Sequence, residues 1–341
     1  MTLYTIYCDP NSPNTPGSGT EADPYRSMSI AENAGQSLSS TPGDIVRILC
    51  RRNGAAEDIT ALVVAGYTAG VVPEFIADVA YRHNGIPGSG YVLRTGSTCM
   101  LLQVPAVVDG LEITGFGSTT RYGIDLSSGG ADGTIIKNNM IHTPASGAVN
   151  IGIRTPASAS AHYVYNNIIH NVTGSTSGTG ILVQGAGARV WNNLVYGCQT
   201  YGINSPVATT QIKNCALLGN GTDFTGSTSA ASDYNVTSDA TALGTNKATG
   251  KTAYADYFVD YANGDFHLKS SSATLWGINS ADLSATFTDD IDGDARPSSD
   301  QFGIGADYYV VAGWSGKMFG VSPGAVNGVP AADISKIVGV D

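Results

Sequence analysis

The central part of this chain carries few side chains that could perform acid–base chemistry. In the stretch 121–220 the carboxylates are Asp125 and Asp132, which do not form an adjacent pair. Glycoside hydrolysis needs two carboxylates that flank one bond, and this pattern does not supply them. Elimination from a uronate sugar needs a basic side chain and a cation that neutralises the acid. The basic candidates from position 137 to position 213 are Lys137, Arg154, Arg189 and Lys213. They are scattered, so the sequence favours a protein without catalysis.

One position of a repeated phrase is occupied in turn by Lys137, Tyr165, Trp191 and Lys213. In a stacked fold these residues would form a column on one outer face. Tyr165 and Trp191 could stack on sugar rings there, because amphipathic aromatic side chains suit such surfaces. The same column is ordinary for a solvent-facing sheet. The pattern therefore leaves open a carbohydrate-binding adhesin that does not turn over its ligand.

The repeated phrase consists of an apolar strand, a pair of asparagines and a second apolar strand. Its copies are 136–142, 164–170, 190–196 and 212–218, and the first asparagine advances by 28, 26 and 22 residues. A separate Gly-Ile marker advances by 29, 28 and 22 residues between positions 123, 152, 180 and 202. The apolar runs are short, rich in Ile, Val, Tyr and Trp, and bounded by turn-forming residues. We therefore predict stacked parallel β coils rather than a helical repeat.

The asparagine pairs are predicted to lie at one bend of each coil. Asn tolerates the left-handed backbone conformation, and its side-chain amide can bond the amide of the next coil. The sequence leaves open which asparagine of each pair faces inward. The predicted structural ladder consists of Asn138, Asn139, Asn166, Asn167, Asn192, Asn193 and Asn214.

Segments on both sides of the repeat resemble a known family. The opening 9–27, the short helical segment 29–34 and the segment 42–46 look like the start of right-handed parallel β-helix proteins of the pectin-lyase-like superfamily. Segments 232–236, 263–269, 290–297 and 304–307 resemble the closing parts of bacterial and phage members. The resemblance implies an all-β, right-handed, single-stranded parallel β-helix with an N-terminal cap and a short C-terminal extension. It leaves the chemistry open, because this superfamily includes lyases, hydrolases, epimerases, tailspikes and non-catalytic proteins.

This interpretation divides the chain into three parts. Residues 1–43 are predicted to form the N-terminal cap region, 44–310 the β-helix with its closing segment, and 311–341 a C-terminal anchoring tail. The stretch 326–340 resembles short repeated tails of phage virion proteins, and a small apolar tail on an acidic solenoid is typical of an anchoring peptide. The predicted anchoring residues are Val326, Val329, Ile334, Ile337 and Val340.

Charge and hydropathy limit the classes of partner that we expect for this protein. The chain has 17 Lys plus Arg against 28 Asp plus Glu, a net charge of −11, which disfavours nonspecific binding to nucleic acid. No apolar run of membrane-spanning length occurs, and the first residues lack the pattern of a signal peptide. We therefore expect neither a nucleic-acid nor a membrane partner, and synthesis in a host cytoplasm without export.

Cysteine and histidine spacing gives little sign of a cofactor. The five cysteines, Cys8, Cys50, Cys99, Cys198 and Cys215, are too scattered for a disulfide framework. His142 and His170 occupy the same place in the repeat and could stack on one face. The run 289–294 is rich in Asp but lacks the Glu of a calcium-sensor loop, since position 12 counted from Asp290 is Gln301. No cofactor and no metal site is predicted.

The sequence thus predicts a non-enzymatic phage virion protein, either a capsid decoration or a tail-associated subunit. Its expected partners are phage capsid or tail proteins, bound through the C-terminal tail. A homotrimer is expected only by analogy with phage β-helices. The alternatives are a polysaccharide lyase or depolymerase tailspike and the glycan-binding adhesin, and a host surface glycan would be the partner in both.

Overall fold

The chain folds as a right-handed parallel β-helix, here described from a computed structural model. Each complete coil passes through three short strands, which belong in turn to three parallel sheets that we call sheets A, B and C. The residues that the structure describes are 1–38, 41–117, 120–126, 131–142, 144, 147–157, 161–299 and 301–309, without the side chain of Ser272.

Sheet A opens each coil. It consists of β1 (Leu3–Cys8), β2 (Ile45–Cys50), β4 (Val72–Ala77), β7 (Val107–Asp109), β10 (Ile135–Lys137), β13 (Tyr163–Tyr165), β16 (Arg189–Trp191) and β19 (Gln211–Lys213). The predicted cap region 1–43 therefore also supplies a strand, because β1 pairs in parallel with β2 over its whole length.

Sheets B and C complete the coils. Sheet B consists of β5 (Val92–Arg94), β8 (Glu112–Thr114), β11 (Met140–His142), β14 (Ile168–His170), β17 (Leu194–Tyr196), β20 (Ala216–Leu218) and β22 (Val236–Thr237). Sheet C consists of β3 (Leu62–Val64), β6 (Met100–Leu102), β9 (Thr120–Asp125), β12 (Val149–Arg154), β15 (Ser177–Leu182), β18 (Tyr201–Ser205) and β21 (Thr222–Gly226).

The core is a stack of apolar side chains inside the coils. In the three-residue strands of sheets A and B the middle residue points inward, because side chains alternate along a strand. Ile136, Val164 and Val190 are fully buried in sheet A, and Ile141 and Ile169 are fully buried in sheet B. In-register pairing places these residues directly above one another.

A helix covers the first coils, in the region where the sequence predicts one. It is α1 (Met28–Gln36), which begins at Ser27, whose hydroxyl accepts a hydrogen bond from the Ile30 N–H. Met28 and Ala31 are completely buried against the first coils.

The bend between sheets A and B resolves the roles of the paired asparagines. Asn138, Asn166, Asn192 and Asn214 each have φ between 49° and 54°, the left-handed conformation that Asn tolerates. This conformation bends the chain at the first asparagine, so the second asparagine of the pair lies inside the coil. The first asparagine of each pair therefore makes the bend, and the second forms the ladder.

The ladder runs between the second asparagines. Asn167 Oδ1 accepts hydrogen bonds from the backbone N–H and the side-chain amide of Asn139, both at 3.0 Å. Asn193 Oδ1 does the same for Asn167, at 3.1 and 3.0 Å. At the next coil Cys215 interrupts the ladder, and its N–H is bonded by Asn235 Oδ1 at 3.1 Å. Each rung satisfies backbone groups that the bend would otherwise bury unpaired.

The residues after the last coils fold back over the outside of the β-helix. We call residues 254–308 the closing segment. It contains α2 (Tyr254–Tyr257), β23 (Phe258–Asp260), β24 (Asp265–Leu268) and α3 (Ser272–Trp276), and β23 and β24 pair antiparallel. The compact unit formed by the coils and this segment extends from Met1 to Tyr308.

Replacement of a ladder asparagine should destabilise the protein strongly. In Asn167→Ala the buried Asn139 N–H and the Ile136 carbonyl lose their partner, and we expect a loss of about 3 kcal/mol in the free energy of unfolding. Urea denaturation measures it. The control is Asn263→Ala, an exposed amide that bonds Asp260, with an expected change within about 0.5 kcal/mol. Equal effects of the two changes would contradict the ladder's structural importance.

Candidate functional site

Three of the four bend asparagines bind the closing segment from the outside of the coils. Asn166 Nδ2 donates to the Asp289 carbonyl at 2.7 Å, and Asn192 Nδ2 donates to the Gly303 carbonyl at 2.9 Å. Asn214 makes two hydrogen bonds with the backbone of Ala281, at 2.8 and 2.9 Å. The same residues that turn each coil therefore form the docking edge for a distant part of the chain.

Arg296 is the buried centre of this contact. Its side chain donates to the carbonyls of Phe302 at 3.0 Å, Gly305 at 2.9 Å and Ala306 at 2.7 Å, and to Asn166 Oδ1 at 3.3 Å. Burial lowers the pKa of Arg296 to about 10, so the guanidinium still carries its charge at neutral pH. The planar guanidinium holds its N–H donors in a rigid fork, which suits such a set of carbonyl acceptors.

The aromatic column lies under the closing segment, which corrects one prediction. Pairing between neighbouring strands places Lys137, Tyr165, Trp191 and Lys213 in one row, as the repeat predicts. However, Tyr165 and Trp191 are each only 6% exposed. Phe287 stacks on Tyr165 with ring centroids 4.4 Å apart, and Leu283 and Phe302 belong to the same apolar cluster. The solvent-facing column that the sequence predicts is therefore wrong for these two rings, which the protein itself covers and which are not open to a glycan.

Three of the four basic candidates of the central coils are engaged by their neighbours. Arg154 makes a double hydrogen bond to Asp125, at 2.8 and 2.7 Å, and lies 3.9 Å from the Tyr122 ring centre. Lys137 Nζ lies 3.3 Å from Asp109 Oδ2. Arg189 donates to the Tyr163 hydroxyl at 3.1 Å. These contacts neutralise or hold the side chains that an elimination reaction would need as a base.

A cluster of one histidine and several aspartates lies where three parts of the closing segment meet. Asp265 and His267 project from the same side of β24, because they are two residues apart on a strand. His267 Nδ1 lies 2.5 Å from Asp265 Oδ1, and His267 Nε2 lies 3.0 Å from Asp292 Oδ2. Asp307 approaches from beyond the turn, and His267, Asp292 and Asp307 offer ligand atoms within 4.8 Å of one another.

The surroundings hold this cluster in place. Asp290 Oδ1 accepts the N–H groups of Asp292 at 3.0 Å and Asp294 at 2.8 Å, which shapes the turn. Asp307 Oδ2 accepts the Leu268 N–H at 2.7 Å. The hydrogen bond that His267 donates to Asp292 raises the pKa of His267 to about 10, and burial raises the pKa of Asp307 to about 7. His267 and Asp292 face a cleft of about 670 Å³ lined by Arg82, His83 and Asp294, among others.

The sequence singles out the Asp-rich turn at 289–294 but not the residues that meet it. His267 and Asp307 lie in segments whose sequence shows only a resemblance to closing parts of β-helix proteins. The signal that could have found them is the alternation of Asp265 and His267 in a strand pattern. It gives no indication of which distant carboxylates approach.

His142 and His170 stack on sheet B, with ring centroids 4.9 Å apart. His142 Nε2 lies 2.8 Å from Glu112 Oε1. His170 is 3% exposed and is covered by Phe266. Burial, and then the neighbouring His142, lowers the pKa of His170 well below its usual value. This pair is a packed part of the interface with the closing segment.

The remaining predictions from the sequence concern the cysteines, membrane-spanning segments and the anchoring residues. All five cysteines are buried free thiols. No helix among the described residues is long and apolar enough to cross a membrane. The predicted anchoring residues lie outside the described part of the chain; they are Val326, Val329, Ile334, Ile337 and Val340.

Comparisons with known proteins add little to this geometry. No protein-family model matches the chain, and no curated protein matches it. Among solved structures, the crystal structure of pectate lyase Pel9A is similar over 90% of each chain, with 13% sequence identity and a TM-score of 0.30. The site must therefore be interpreted from its own residues.

Loss of the buried guanidinium should release the closing segment. In Arg296→Met the carbonyls of Phe302, Gly305 and Ala306 lose their donor, and we expect a loss of about 3 kcal/mol or more. Hydrogen exchange measured by mass spectrometry should become faster in 281–308 and in the strands that carry Tyr165 and Trp191. The control is the exposed Arg26→Met, and unchanged exchange in Arg296→Met would contradict the docking role.

Acid should destabilise the protein partly through His83. This residue is 1% exposed; its Nδ1 accepts the Gly85 N–H, and its Nε2 lies 2.8 Å from the Asn138 carbonyl. Burial lowers its pKa to about 4, whereas an unfolded histidine titrates near 6.5. Between these values the unfolded chain binds more protons, so stability falls as the pH falls, by up to about 3 kcal/mol from this group.

The comparison of wild type with His83→Gln isolates this contribution. Urea denaturation at several pH values from 7 to 4 should show a shallower loss of stability in the variant. Other groups titrate equally in both proteins, so they cancel in the difference. Identical pH profiles would show that His83 is not buried in its neutral form.

Proposed function

We propose that this protein is a non-catalytic structural β-helix of a phage particle, either a capsid decoration or a tail-associated subunit. It attaches to capsid or tail proteins through residues 311–341. The phage assignment is supported by the resemblance of 326–340 to virion-protein tails and of the closing parts to phage β-helices.

The non-catalytic part of the proposal is supported by one observation, namely that the closing segment and local contacts occupy most of the candidate chemical groups. Tyr165 and Trp191 are covered, and Arg154 is neutralised by Asp125 and packed against Tyr122. A sugar-binding or eliminating surface needs such groups free to meet substrate. Their use in internal contacts favours a scaffold.

The attachment part of the proposal follows from the extent of the folded unit. The coils and the closing segment complete their packing by Tyr308. The anchoring residues all lie after that point, so substitutions there should leave the β-helix intact. A short apolar segment is a common means of binding a partner protein.

Binding to particles that lack this protein tests the proposal. The full chain, a truncation after Val311 and the full-length double variant Ile334→Asp, Ile337→Asp would be added to purified capsids and to purified tails. We expect the full chain to bind in several copies at regular sites, and both altered chains to lose binding because the apolar anchor is removed or charged. Circular dichroism checks that all three contain the same β structure.

Two outcomes would overturn the proposal. Equal binding of all three chains would show that the β-helix, not the tail, makes the attachment. Absence of binding by any chain, together with depolymerisation of a host polysaccharide, would identify a lyase or depolymerase tailspike instead.

A further inference from the structure

We propose that His267, Asp292 and Asp307 bind one divalent transition-metal ion, of which zinc is the representative. The ion would join β24, the turn at 290–294 and the end of the closing segment. This inference does not depend on the phage assignment, because it concerns how the closing segment is held.

The geometry of the three side chains suits a single ion. One ligand atom from each residue lies within 4.8 Å of the other two. Zinc bonds of about 2.0 to 2.2 Å in a tetrahedral arrangement place ligand atoms about 3.3 to 3.6 Å apart, so the side chains need to close by about 1 Å. An ion can therefore sit between them after small side-chain adjustments.

The donor set indicates the class of metal. One imidazole nitrogen and two carboxylate oxygens form a mixed set, which suits zinc and similar ions. Calcium prefers six to eight oxygen ligands, and an imidazole is a poor substitute for one of them. The calcium-like appearance of the Asp-rich turn is thus not the reason for this proposal.

The contacts around His267 have the arrangement that orients metal-binding histidines, in which the ring nitrogen that does not bind the metal bonds a carboxylate. Asp265 Oδ1 lies 2.5 Å from Nδ1, so this carboxylate can accept a hydrogen bond from Nδ1–H and leave Nε2 as the ligand atom. Nε2 already faces Asp292 Oδ2, at 3.0 Å. A metal ion would take the place of the proton that otherwise lies between these two atoms.

A separate observation comes from the other oxygen of Asp292. Asp292 Oδ1 is buried and has no hydrogen-bond partner among the described residues. A buried carboxylate oxygen without a donor is costly, and a bound cation is one of the few things that can satisfy it. Asp307, which is 8% exposed, brings a second carboxylate to the same place. The cluster therefore directs two carboxyl groups toward one place.

The loop at Gly85 closes over the cluster. A Cβ at this position would lie 2.6 Å from His267 Cε1 and 3.4 Å from Asp292 Oδ1, and Gly85 has φ +72°. Only glycine allows the backbone to approach so closely in this conformation. The adjoining cleft gives an ion a path from solvent, and water there can fill the remaining coordination positions.

Zinc binding by the full chain tests the site directly. After treatment with a chelator and its removal, isothermal titration calorimetry with Zn²⁺ should show saturable binding of one ion per chain, accompanied by a higher melting temperature. Asp292→Asn and His267→Gln should each weaken binding by tenfold or more. Asp265→Asn should weaken it by about tenfold, as expected for a residue that orients a ligand.

Two controls keep the test independent of folding. Asp256→Asn changes an exposed acid elsewhere in the closing segment and should leave binding unchanged. Anomalous diffraction at the zinc edge, measured on wild-type crystals, should place the ion between His267, Asp292 and Asp307. The proposal is overturned if binding is not saturable, if Asp292→Asn binds as well as wild type, or if the anomalous peak lies elsewhere. Binding of Ca²⁺ without Zn²⁺ would overturn the class of metal.

Discussion

The hydrogen bond that a ladder asparagine accepts from the backbone N–H of the preceding coil is the interaction on which the rest of this structure depends. Each coil must turn sharply between sheets A and B, and the turn would bury peptide groups without partners. Asn139, Asn167 and Asn193 supply those partners from one coil to the next. Because these asparagines also set the register between coils, equivalent core residues and equivalent outer residues lie directly above one another.

The outer asparagines give the same bend a second role. They need the left-handed conformation to make the turn, and this conformation aims their amides away from the coils, where the backbone of the closing segment accepts them. Arg296 completes the contact between the coils and the closing segment. Its charged side chain is buried, unlike that of an ordinary surface residue. One repeated dipeptide thus both builds the solenoid and provides the edge on which its cover rests.

The fold could be predicted from the sequence because its signal is periodic. Two markers in one register and short apolar runs were enough to predict stacked parallel strands. The inward or outward direction of each asparagine could not be predicted, since strand alternation breaks at a left-handed residue such as Asn166. The burial of Tyr165 by Phe287, and the approach of Asp292 to His267, depend on irregular segments far apart in the chain. No local pattern reports such contacts.

The position of the closing segment late in the chain has a consequence for biosynthesis. A ribosome makes the coils first, and residue 296 emerges long after residue 166, to which it binds. Until then Tyr165 and Trp191 stand bare on a growing stack of strands, a state prone to association with other nascent chains. The interval between translation of the coils that carry Tyr165 and Trp191 and translation of Arg296 is therefore the one in which association with other chains is most favoured.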